Sequence, residues 1–138
     1  MATTQQSYGF DVTLEMPFDA ALARTKEALK GEGFGVLTEI DVRETLKQKI
    51  GVAFERYLIL GACNPHLAYR ALQAEHDLGL LLPCNVIVHD HDGGTKVSIV
   101  DPAAMLGIVE NAALRAVADE ARQRLQRVVA ALAAKEEG

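Results

Sequence analysis

The chain has 138 residues, 49% of them hydrophobic, which is enough for one real core and too apolar for a disordered segment. A net charge of −5 argues against nucleic acid as a default partner, and 5% aromatic residues with no tryptophan leave few platforms for stacking bases or sugars. No apolar run is long enough to span a bilayer, and MATTQQSYGF lacks the basic and apolar stretches of a secretory leader. We therefore expect a cytoplasmic protein with neither a membrane nor a nucleic-acid partner. Arg115, Arg122, Arg124 and Arg127 do not make a phosphate-tracking stripe, because Glu110, Asp119 and Glu120 are interspersed with them.

Residues 1–6 are polar and read as frayed. Tyr8, Phe10, Val12 and Leu14 then alternate with Gly9, Asp11 and Thr13, the pattern of a half-buried strand. Pro17 ends that strand, and Asp19 stands where the cap of a helix reaching Lys30 belongs. Gly31 and Gly33 stop the helix. A second strand runs from Phe34 to Asp41, with Phe34, Val36, Thr38 and Ile40 on one face and Leu37 and Glu39 on the other. Val42 to Ile50 reads as a short helix that buries Val42, Leu46 and Ile50 and closes at Gly51.

Glu55 to Cys63 is the third strand, and its unbroken apolar run Tyr57–Leu60 suits a central strand covered on both faces. Asn64 and Pro65 follow as helix cap and first helical residue, where a missing N–H costs nothing. That helix extends to about His76, with Leu67, Ala68, Ala71 and Leu72 inward. After the break at Asp77-Leu78-Gly79, a fourth strand reaches His91. Gly93-Gly94 reads as a two-residue turn into a fifth strand ending at Val100. This turn puts Val88 opposite Ile99 and Asp90 opposite Val97. Cys84, Val86, Val88, Val97 and Ile99 then share one face, and Asn85, Ile87, His89, His91, Lys96, Ser98 and Val100 the other. Asp101-Pro102 starts another helical turn, interrupted at Gly107. From about Asn111 a long helix carries Leu114, Ala118, Ala121, Leu125, Val128 and Leu132 along one side.

These elements predict a single α+β domain over residues 1–138, a two-layer sandwich whose largely antiparallel five-stranded sheet is covered by helices, including the long C-terminal one. A parallel crossover between strands three and four is the competing arrangement. The choice matters, because only antiparallel neighbours bring Cys63, ending one strand, next to Cys84, beginning the other.

The segments Leu60-Gly61-Ala62-Cys63-Asn64-Pro65 and Leu82-Pro83-Cys84-Asn85-Val86, with Gly33-Phe34, Ile40-Asp41-Val42 and Asp101-Pro102 in support, resemble the bacterial and archaeal domain-of-unknown-function family 302. The resemblance covers nearly the whole chain and implies a TBP-like α+β fold and a homodimer. It carries no assigned activity. The family pattern covers Glu39, Cys63, Asn64, Pro65, Pro83 and Cys84 here, while His66 lies outside it.

Cys63 is the leading reactive candidate, since a thiol beside a helix start is placed to ionise easily. The plain alternative is a small buried hydrophobe at a strand end. Cys84 gains interest through Cys63: together they make a ligand-binding site with Asn64 and Pro83, form a reversible disulfide, carry sulfur, or hold a soft metal ion. Cys63, His66 and Cys84 give three ligands at most, short of a closed zinc site, so no metal or other cofactor is expected beyond that option. His89 and His91 read as exposed near the hairpin tip. Glu39 suits acid–base support of Cys63 as nucleophile, or a salt bridge. Phosphate loops, GxSxG and HExxH signatures are absent. Ile87 and Val100 need a cover on the second sheet face, which helices or a second subunit would supply.

The leading expectation is a cytoplasmic homodimer with a Cys63/Cys84-centred site that binds a small molecule or handles sulfur. A cysteine-dependent enzyme using Cys63 and Glu39 is the alternative, and a structural or regulatory dimer without chemistry is the third.

Overall fold

The structure, a computed structural model, describes residues 3–5 and 8–137. Its strands are β1 (Thr3–Gln5), β2 (Gly9–Leu14), β3 (Gly35–Asp41), β4 (Tyr57–Cys63), β5 (Cys84–His91) and β6 (Gly94–Val100). They form one antiparallel sheet in the order β1-β2-β6-β5-β4-β3. The helices are α1 (Phe18–Gly31), α2 (Val42–Ile50), α3 (Pro65–Ala74), α4 (Pro102–Leu106) and the long α5 (Ala112–Glu137), with a 3₁₀ turn at His76–Leu81. The segment read as frayed contains an edge strand, because Thr3–Gln5 pairs with Phe10–Val12 and adds a sixth strand.

Short-range chemistry sets most of the boundaries. The Asn64 side chain accepts from Leu67 N at 3.2 Å and Pro65 opens α3. Asp101 accepts from Ala103 N at 2.9 Å, and Asp41 from Glu44 N at 3.0 Å. Each satisfies an N–H that a helix start leaves unpaired. Asn111 does the same for α5, accepting from Ala113 N and Leu114 N. Asp19 is not a cap. Pro17 occupies that position, and the Asp19 carboxylate pairs with Arg56 at 2.9 Å instead.

The β5–β6 turn is Asp92-Gly93, not Gly93-Gly94, and both residues have positive φ (46° and 82°). Two successive left-handed residues match the twist of the flanking strands in a tight hairpin. Val88 therefore pairs with Val97 and Asp90 with Thr95. The slip is two residues, an even number, so every side chain keeps its expected face. Val86, Val88, Val97 and Ile99 point with Phe10, Val12, Leu14, Leu60 and Ala62 into a single core, against Ala21 and Leu29 of α1 and Leu114, Leu125, Val128 and Leu132 of α5, and Cys84 is buried at the start of the same face.

Among the described residues, the opposite sheet face carries no such layer. Ile59, Ile87 and Val100 are half-buried there, and Ile40 is 49% exposed. The expectation of two covered faces for Tyr57–Leu60 therefore fails: Tyr57, Leu58 and Ile59 are half-buried, and Leu60 alone is fully enclosed. Strand β3 departs further. A bulge at Leu37 separates the pair Val36–Ala62 from the pair Thr38–Gly61, which breaks the alternation. Thr38 and Ile40 thereby turn away from the face of Val36, and Glu39 turns toward it. As an edge strand, β3 stays largely exposed, and α2 beside it buries no residue: Val42 and Leu46 are half-buried and Ile50 is 67% exposed.

Candidate functional site

Strands β4 and β5 run antiparallel, and Ala62 pairs directly with Cys84. The end of one strand thus adjoins the start of the other, so Cys63 lies one residue from the pair. Both cysteines are free thiols, Cys63 half-buried and Cys84 buried. They open on one cavity of about 300 Å³. Its walls come from Phe34 and Leu37 around the start of β3, from Leu67, Ala68, Ala71 and Leu72 of α3, and from Leu82 and Pro83. Pro102 and Leu106 of α4 and Val117 and Ala121 of α5 complete them.

Local chemistry shapes this space. Gly61 is required where β4 passes its neighbours, because an added Cβ would run into the Thr38 hydroxyl on one side and Pro83 Cγ at 2.8 Å on the other. The absent side chain lets the Leu82–Pro83 segment close over the strand. Asn64 lines the cavity, but its amide is engaged within the fold. Its oxygen caps α3, and Nδ2 lies 3.5 Å from Glu32 O, a carbonyl that Arg124 Nη1 also reaches at 3.2 Å. One carbonyl thereby ties the end of α1 to the start of α3 and the middle of α5. An added Cβ on Gly33 would lie 2.8 Å from that same amide nitrogen.

The electrostatics run against an activated thiolate. Burial pushes the Cys63 thiol above its ordinary value, opposite to the direction expected beside a helix start. Burial, with a contribution from Cys63, pushes Cys84 up to about 11. Desolvation in an apolar wall outweighs the partial charge of the α3 N-terminus, whose N–H of Leu67 is already spent on Asn64. At neutral pH both sulfurs are protonated and act as weak, polarizable donors.

Cys63, Asn64, Pro83 and Cys84 are thus brought together, and Glu39 is not. Glu39 holds Lys26 Nζ at 2.6 Å on the surface and is not among the cavity residues. His66 is exposed and points to no shared site with the cysteines. His89 stacks on Tyr57 at 5.2 Å between ring centroids and lies edge-on to His91. Among the described residues, no group of three or more histidine, cysteine, aspartate or glutamate side chains is placed to hold a metal ion. No described helix is long and apolar enough to cross a membrane. The contributions of Leu37, Leu106, Val117 and Ala121 were not foreseen. Leu37 enters only through the bulge, and Ala121 belonged to a stripe that gave no sign of ending against a cavity.

Residues 10–132 match the family described as domain of unknown function DUF302. The chain is similar to a solved structure, an uncharacterized conserved DUF302 protein from Bacillus stearothermophilus, at 32% identity and a TM-score of 0.81. The similarity covers 88% of this chain and 95% of that one. No curated protein matches. The fold, its long C-terminal helix and the match over nearly the full length agree, and this chain belongs to the DUF302 family.

Proposed function

We propose that this protein is a small cytoplasmic homodimer that binds a small molecule or sulfur species in the cavity shared by Cys63 and Cys84, as a binding module and not a catalyst. The observation that carries this reading is that two free thiols from neighbouring antiparallel strands open on one apolar cavity. Pockets of this size, apolar with a few convergent polar atoms, are the usual form of small-ligand sites. The raised thiol pKa values favour binding over nucleophilic attack, since the thiolate is the reactive form. Self-association is supported by the uncovered sheet face, where Ile40, Ile59 and Ile87 form a continuous apolar strip across β3, β4 and β5.

Iodoacetamide labelling of the native protein, read by mass spectrometry, tests the site. Cys63 is expected to label slowly and Cys84 more slowly still, and both are expected to label rapidly in urea. If neither reacts before the protein unfolds, the cysteines are sealed core residues and the reading fails. Light scattering tests the assembly. A dimer that Ile59→Asp converts to a monomer is expected, and a wild-type monomer removes that part of the proposal.

A further inference from the structure

The walls of the cavity say what kind of guest it takes. Among the described residues, none that lines the cavity is Asp, Glu, Lys, Arg or His. The polar side chains are the two thiols and the Asn64 amide, and that amide already caps α3 and faces the Glu32 carbonyl. A charged group drawn inside would lose its water and meet no counter-charge, which is unfavourable by far more than any contact it gains. A neutral hydrocarbon loses nothing on entry and gains dispersion contacts with Leu67, Leu106 and Val117. Size sets an upper bound. A dry cavity of about 150 Å³ accepts a benzene-sized guest, so about 300 Å³ accepts roughly twice as many carbons. Leu37 and Leu72, both exposed, mark the way in.

We infer that the cavity selects neutral, hydrocarbon-rich molecules of up to about twelve carbon atoms and rejects the same skeleton carrying a charged head group. This rests on the binding reading above and narrows it: the thiols serve as soft walls, and selectivity comes from the absence of any ion partner. Fatty carboxylates and alkylammonium ions are excluded on the same ground as each other, by desolvation and not by the sign of their charge.

Isothermal titration of the full chain at pH 7.5 with 1-octanol, octanoate and octylammonium tests it. All three share one skeleton, short enough for the head group to enter with the tail. 1-Octanol is expected to bind, and both ions at least about tenfold more weakly. Ala68→Phe, which grows a half-buried wall residue into the space, is expected to abolish 1-octanol binding. Leu72→Lys, at the exposed mouth, is expected to improve octanoate at least about fivefold while leaving octylammonium weak. It keeps the test decisive should Ala68→Phe fail to fold. Octanoate or octylammonium binding as tightly as 1-octanol overturns the inference, as does no binding of 1-octanol. Iodoacetamide labelling of Cys63 separates this failure from that of the underlying reading. Slow native labelling without 1-octanol binding refutes the ligand class alone, as does 1-octanol binding that leaves Cys63 labelling unchanged and so places that guest elsewhere, whereas no labelling of either cysteine before unfolding refutes both.

Discussion

Replacing Cys84 by alanine removes a thiol whose pKa lies at about 11 in the fold against an ordinary 9.0. The thiol is charged when deprotonated, so the unfolded chain ionises it from about pH 9 and the folded chain only near pH 11. Its contribution to stability is therefore fully present below pH 9 and is lost as the pH rises through 11. Two pKa units correspond to about 2–3 kcal/mol over that window. Urea unfolding of wild type and Cys84→Ala at pH 8, 9.5 and 11 measures it. The substitution also removes a buried sulfur, which shifts the variant's stability by a constant amount at every pH. The difference between the two proteins is expected to shrink by about 2–3 kcal/mol between pH 8 and 11, because only the wild type carries the thiol. The same shift makes the thiolate roughly a hundredfold scarcer than in an ordinary cysteine below pH 9, with labelling of Cys84 slowed in proportion. Parallel pH profiles for the two proteins would refute the argument that desolvation controls this site.

Asn64→Ala is expected to cost about 1–2 kcal/mol in urea unfolding through loss of the α3 cap. Restoring the cap oxygen with Asn64→Ser should recover most of this, and a neutral alanine variant would count against the hub described for Glu32. Gly61→Ala is expected to destabilise the fold by about 1–3 kcal/mol, because Thr38 and Pro83 already fill the space its methyl needs. Thr38→Ala in the same background should relieve part of the loss, and additivity of the two changes would show that they do not meet. Glu39→Gln is expected to change stability by less than about 1 kcal/mol, the range of an exposed ion pair, and to leave the labelling rate of Cys63 unaltered. A slowed Cys63 in that variant would restore acid–base support as a live reading.

Legibility in the sequence followed the range of the interactions. Asn64-Pro65 and Asp101-Pro102 announce their helices because a cap and its N–H donors lie within three residues of each other. The faces of β5 and β6 were readable although the turn was placed one residue late, since alternation tolerates an even slip. Strand β3 was not readable in the same way. One inserted residue at Leu37 changes which side each later residue faces, and nothing in Gly-Val-Leu-Thr-Glu announces it. The approach of Cys63 and Cys84 was conditional on strand direction, which depends on the whole sheet order. The sign of the Cys63 shift is illegible in the sequence for a related reason. The helix start is visible locally, while the apolar walls contributed by α4 and α5 come from residues more than 35 positions away in sequence from Cys63.

The exposed β3–α2 arm has a consequence for how the molecule opens. With no buried residue in α2 or β3, this arm is held by backbone pairing to β4, the Asp41 cap and the surface ion pair of Glu39 with Lys26, and Val36 is its one apolar side chain packed against the core. Segments with so few apolar anchors detach at a fraction of the global unfolding free energy. Amide protons along Val42–Ile50 should accordingly exchange with solvent long before those of β5 and β6. Because Leu37 belongs to the same arm, each such excursion also lifts one wall from the thiols, so that access to the interior is timed by the weakest part of the sheet and not by its core.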